Sequence, residues 1–158
     1  LQASLWDCEF PPVQAVTALG EVLNYAFGRA PARGERRRLF KRIHAALATN
    51  GAFVFDFATP DRLPMELPAR RWFAGEDWAV LVETDGQRAR RELNRCIVTF
   101  RQAGRSYRRS EELHRLRLLD VAEVTRDLKT AGFEVQALRS FGRYRFFPGM
   151  AAILAIKR

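Results

Sequence analysis

Thiols, lysine and histidine are scarce in this sequence: two Cys, three Lys and two His stand among 158 residues. Cys8 and Cys96 lie far apart without metal-type spacing. Neither a disulfide framework nor a metal centre is therefore expected, and a reducing cytoplasm fits best. Long apolar runs are missing as well. The longest, residues 150–156, falls far short of the ~18–20 residues a helical membrane span needs, so no membrane partner is expected. The first residues lack a basic segment followed by an apolar one, which argues against a secretory leader. The chain opens on Leu1, in the manner of a piece of a longer protein. The 10 Gly and 7 Pro are scattered, which excludes collagen-like and linker compositions. With 47% hydrophobic residues the chain is no disordered tail. A single domain over 1–158 is expected, large enough to bury a core.

Charge is unevenly spread. Residues 1–79 hold 10 basic and 9 acidic side chains, and residues 80–158 hold 17 and 9, so the second half carries +8 of the net +9. Ten arginines fall between Arg88 and Arg117, against Glu92, Glu111 and Glu112. Such a block suits nucleic acid or an acidic partner. It equally suits a solvated sheet face in a chain with 24 Arg to 3 Lys. No aromatic-rich RNA-binding signature accompanies the block, which favours the solvated face.

The apolar pattern predicts an α/β order of elements. The Val-rich run 13–19 reads as a buried parallel strand between Pro11-Pro12 and Gly20, with a helical turn over 21–27 and a loop over 28–34. A helix is predicted over 35–49, with Leu39, Phe40, Ile43 and Leu47 inward and Arg36, Arg37, Lys41 and Arg42 in water. Asn50-Gly51 supplies its left-handed stop, and residues 52–57 form a second buried strand. Strand, crossover helix and strand make one right-handed parallel unit. From 72 to 116 the chain instead alternates like antiparallel strands, with hairpin signals at Asp85-Gly86 and Ala103-Gly104. Helix returns at the N-cap Asp120 and ends at Gly132; 133–138 and 150–156 are final strands around an aromatic and basic loop, 141–148.

Three stretches carry a family resemblance. The first joins Ser4-Leu5-Trp6-Asp7 to Ala18-Leu19-Gly20-Glu21-Val22-Leu23-Asn24-Tyr25; the second is Leu47-Ala48-Thr49-Asn50-Gly51-Ala52-Phe53-Val54-Phe55-Asp56. The third is Glu112-Leu113-His114-Arg115 followed by Leu128 through Ala131-Gly132-Phe133. In order and spacing they resemble the C-terminal two-thirds of class I S-adenosylmethionine-dependent methyltransferases. That resemblance implies a partial Rossmann-like sheet with an inserted antiparallel β-meander over 72–116, and S-adenosylmethionine as cofactor. The family's glycine-rich loop and its ribose-binding acid have no counterpart here, so weak or absent cofactor binding is expected of this chain alone.

The resemblance sets Asp7 beside the adenine and Gly20 and Glu21 at the methionine end of the cofactor. Asn24 and Tyr25 follow at the same rim, toward a small-molecule acceptor, or serve the core. Asp56 ends a buried strand, where a charge needs a cleft or a partner, so a catalytic role is expected. Glu112 and His114, two apart on a strand, share one face: a carboxylate orienting an imidazole as general base, or a pair on a solvated face. Trp78 and Tyr144, with Trp72, Phe146 and Phe147, roof a substrate pocket or fill a core. The run 13–19, left with a bare edge, is expected to recruit a second copy, giving a dimer or larger oligomer. The alternative reading is a non-catalytic basic module that contacts nucleic acid or an acidic partner.

Overall fold

The computed structural model describes residues 4–26 and 33–158. In chain order come strand β1 (Val13–Ala18), a 3-10 turn (Val22–Asn24), helix α1 (Arg33–Ala46) and strand β2 (Leu47–Ala58). Four strands follow, the last three long: β3 (Ala69–Ala74), β4 (Trp78–Gln87), β5 (Glu92–Ala103) and β6 (Ser106–Arg117). Helix α2 (Val121–Thr130), strand β7 (Phe133–Leu138), the short pair β8 (Ser140–Phe141) and β9 (Tyr144–Arg145), and β10 (Met150–Lys157) complete the order. The expected loop 28–34 falls largely outside the described residues; Arg33 and Gly34, its last two positions, are already helical.

The buried runs make one four-stranded sheet in the order β1-β2-β10-β7. β1 and β2 are parallel, and β10 runs antiparallel between β2 and β7. Phe53, Phe55 and Phe57 alternate along β2, so their rings stand on one face. All three are fully buried, and Phe53 and Phe55 stack at 4.5 Å while Phe40 of α1 lies over both. Leu39, Ile43, Val124 and Leu128 bring both helices onto the same core. The helices are also clamped by charge. Asp127 of α2 is wholly buried and accepts from Arg36 and from Arg37, whose Nε lies at 2.7 Å. Arg36, read from the sequence as solvated, is therefore buried against its partner.

Helix α1 ends at Ala46, before the Asn50-Gly51 stop that the sequence suggests. That pair serves a bulge instead: the β1–β2 register jumps from Val13↔Leu47 to Ala15↔Ala52, and Asn50 adopts φ +63°. A side chain at Gly51 would meet the Ala48 carbonyl at 2.7 Å and the Gln14 carbonyl at 3.0 Å, so glycine is required there.

The second sheet is the expected antiparallel meander, slightly longer than 72–116, in the order β3-β4-β5-β6. Ala103-Gly104 turns the β5–β6 hairpin as expected. Asp85-Gly86 does not turn the preceding one. β4 continues to Gln87 and reverses through Arg88–Arg90, with Arg91 left-handed. Gly86 is needed inside the strand because a Cβ there would lie 2.3 Å from the Glu92 carbonyl and 2.7 Å from the Leu63 side chain.

Asn24 fastens the meander to the parallel sheet. Fully buried, it donates to the Ala58 and Arg117 carbonyls and accepts from the Ala58 amide. Tyr25 adds an antiparallel bridge to Leu116, and the Ala26 amide donates to the Arg115 carbonyl at 2.9 Å. The far end of β6 is thereby held above the carboxyl end of β1.

Candidate active site

At the carboxyl end of β1 the backbone turns sharply through Gly20 (φ +87°) and Glu21 (φ +60°). Their amides converge on Asp56 Oδ1, at 2.8 and 2.7 Å. Successive N–H groups of this kind form an anion-binding hollow, and here the chain's own carboxylate fills it. Asp56, for which the sequence suggests a catalytic role, thus uses one oxygen in positioning the turn that carries Glu21.

Glu21 is nearly buried and meets two arginines. Arg95 of β5 donates to Oε2 at 3.1 Å, and Arg62 stands 3.7 Å from Oε1. Glu21 Oε1 and Arg62 Nε are buried without a hydrogen bond to either. Across from them runs a hydrogen-bonded line. The Tyr25 hydroxyl lies 2.9 Å from His114 Nδ1, and His114 Nε2 lies 3.0 Å from Glu112 Oε2. A carboxylate can only accept, so Nε2 carries the proton; in the neutral imidazole Nδ1 then accepts and Tyr25 donates. Burial pushes the Tyr25 phenol above its usual value, and the nearby Glu21 carboxylate pushes the same way; Arg95 opposes and Glu112 adds.

The structure thus gathers Gly20, Glu21, Tyr25, Asp56, Glu112 and His114 at one edge. Asn24, expected to face a substrate, spends its side chain on the two-sheet junction instead. Asp7 is exposed in the turn 4–7, whose Trp6 carbonyl accepts from Arg42 of α1. Trp78 pairs with Arg101, six residues along β5 from Arg95, so it stands about 20 Å from the His114 row. Half-exposed Tyr144 belongs to an aromatic cluster with Phe146 and Phe147, and Arg62 lies over Phe147 at 6.0 Å.

Arg62 and Arg95 were not singled out by the sequence reading. Arg95 was reachable: the Ala103-Gly104 turn sets it directly opposite His114. Arg62 was not, because its approach depends on how the loop after β2 folds back. Five of the ten arginines of the basic block meet carboxylates among the described residues, through Arg91–Glu123, Arg95–Glu21, Arg101–Asp77, Arg109–Glu111 and Arg117–Glu92.

No family model and no curated protein matches the sequence. Solved structures do match the architecture. An S-adenosylmethionine-dependent methyltransferase from Clostridium acetobutylicum aligns over 97% of this chain with a TM-score of 0.81 at 16% identity. DesVI of Streptomyces venezuelae aligns over 99% with a TM-score of 0.77 at 14% identity. CalS10, an amino pentose methyltransferase from Micromonospora echinaspora solved with its S-adenosylmethionine, aligns over 99% with a TM-score of 0.73 at 16% identity. The fold is that of the S-adenosylmethionine-dependent methyltransferases. This chain spans 62%, 64% and 63% of those three proteins.

The methyltransferase fold raises the question of whether the described residues cradle that cofactor. Two of the groups that the sequence suggests for it are already engaged. The paired amides of Gly20 and Glu21 are taken by Asp56, and the Glu21 carboxylate is held by Arg95 and Arg62.

Proposed function

We propose that this chain is the acceptor-side, C-terminal portion of an S-adenosylmethionine-dependent methyltransferase acting on a small molecule that bears a hydroxyl or amine. The observation that carries this reading is the line Tyr25–His114–Glu112 at the carboxyl edge of the parallel strands. An acceptor O–H or N–H must give up its proton when the oxygen or nitrogen takes a methyl group. The acceptor proton passes to the Tyr25 oxygen as the Tyr25 proton moves to His114 Nδ1. The resulting imidazolium keeps its Nε2–H on Glu112, whose negative charge stabilises it. Raised by burial and by Glu21, Tyr25 rests as a neutral phenol and relays a proton rather than storing negative charge. The sugar N-methyltransferase KedS8 and the amino pentose methyltransferase CalS10 share the fold, which supports a small polar acceptor.

Lacking a free cradle, the chain alone binds S-adenosylmethionine weakly or not at all. We further propose self-association along β1, which among the described residues pairs only with β2 and carries no Lys, Pro or inward charge to block a second copy. A reducing cytoplasm suits the free thiols of Cys8 and Cys96.

Calorimetry is expected to give a dissociation constant for S-adenosylmethionine weaker than about 100 μM, some 5.5 kcal/mol of binding at most. Driven by millimolar cofactor, methyl transfer to small alcohols and amines is expected to fall about a hundredfold in His114→Gln. Transfer undiminished in that variant would overturn the relay. No transfer to any acceptor from cofactor shown to be bound would overturn the enzymatic reading, and a micromolar constant would overturn the incomplete pocket.

A further inference from the structure

Beside the relay, on the same face of the meander, lies a cleft of about 230 Å³ lined by Arg62, Arg71, Arg95, Thr84, Phe73 and Val82, among others. No carboxylate is among its lining residues. We propose that this cleft binds an oxyanion, phosphate or carboxylate, carried by the acceptor. The inference rests on reading the Tyr25–His114 edge as the acceptor site and adds what that acceptor must carry.

Register sets the cleft next to the relay. Thr84, Arg95 and His114 are direct partners across β4, β5 and β6, so they form one row on one face. Arg71, Val82, Ile97 and Glu112 form the next row on that face. One strand spacing separates Arg95 from His114 and two separate Thr84 from it, about 5–10 Å. An acceptor reacting at Tyr25 thus holds its negative group some 5–10 Å from its nucleophile, about four to eight bonds away.

Charge favours an anion in this cleft. Arg62 and Arg95 share the single carboxylate of Glu21. Arg71 has no carboxylate partner among the described residues. Three guanidinium groups against one carboxylate leave two positive charges uncompensated at the cleft. Arg62 Nε is buried without a hydrogen bond, a donor already stripped of water and still unsatisfied. Guanidinium forks suit phosphate and carboxylate alike, and the Thr84 hydroxyl can add a further donor. The volume equals that of about seven or eight waters, enough for an oxyanion and the few atoms next to it. Phe73 and Val82 give those adjoining atoms an apolar wall.

Binding of phenyl phosphate, benzoate and neutral benzamide to the 158-residue chain, by calorimetry at fixed ionic strength and without cofactor, tests this. Phenyl phosphate, benzoate or both are expected to bind at least tenfold tighter than benzamide, and the stronger of the two identifies the oxyanion. Arg71→Gln is expected to weaken that binding about tenfold, Arg71→Lys less, and Arg108→Gln, six residues along β6 from His114, not at all. Benzamide binding as tightly as both anions would overturn the proposal, as would equal losses in Arg71→Gln and Arg108→Gln. His114→Gln is expected to keep oxyanion binding. The cleft and the methyl-transfer reading therefore fail separately.

Discussion

Strands β2 and β6 are both twelve residues long, yet they meet water in opposite ways. β2 buries Phe53, Phe55, Phe57 and Ala58 completely, whereas β6 is exposed over most of its length until Leu116. β2 stores stability, and two residues before its end Asp56 takes part in shaping a turn. β6 stores little, and toward its end Glu112 and His114 are hydrogen-bonded to each other and to Tyr25 rather than packed into a core. Substitutions in the two strands should therefore separate folding from chemistry, since exposed positions on a rigid scaffold carry function at small cost in stability.

The largest contrast is expected from Phe55→Ala, which leaves a cavity among stacked rings and should cost about 3–5 kcal/mol in urea unfolding. Leu113→Ala, its counterpart on the exposed face of β6, should stay within about 0.5 kcal/mol. Comparable losses would erase the distinction between the sheets. Asp127→Ala, which strands the buried Arg36 without its partner, should follow at about 3 kcal/mol. Asp56→Ala should cost about 2 kcal/mol by freeing two amides, with hydrogen exchange accelerating at Gly20 and Glu21. Full amide protection at those two residues in the variant would refute the positioning role. Glu112→Gln, mostly exposed, should leave unfolding unchanged within about 0.5 kcal/mol while slowing methyl transfer about tenfold.

The smallest effect concerns alkaline pH. Tyr25 has a folded-state pKa raised above 10.0, so between its unfolded and folded values the native state holds a proton that the unfolded chain has lost. Stability must then fall as pH rises through about 10, the direction required when the native state binds more protons. Tyr25→Phe should flatten that decline in unfolding measured from pH 9 to 11. An identical slope in both proteins would remove the burial of Tyr25 from the account.

The fold was more legible than the site, for physical reasons. Burial writes itself into sequence as runs and periods: Val13 to Ala18, the Phe ladder of β2 and the Asp120 cap of α2 each follow from local pattern. Asn50-Gly51 and Asp85-Gly86 misled because the same dipeptides suit a bulge or a tight approach within a strand as well as a cap or turn. Glu112 and His114 were visible because strand period alone puts them on one face. Their union with Tyr25, 89 residues away, was not visible, and neither was the withdrawal of Asp56 and Asn24 into turns and junctions. Those assignments depend on which polar group is satisfied first, and that is settled only when distant strands meet.

The central claim is that the two sheets build one proton line across Tyr25 and His114. Nitrogen-15 ring spectra of the histidines test it most directly, because only His44 and His114 contribute and His114→Gln assigns them. The account predicts His114 as the Nε2–H form when neutral, with Nδ1 carrying the shift of a hydrogen-bond acceptor that is lost in Tyr25→Phe. A His114 protonated at Nδ1, or a spectrum indifferent to Tyr25→Phe, would contradict it.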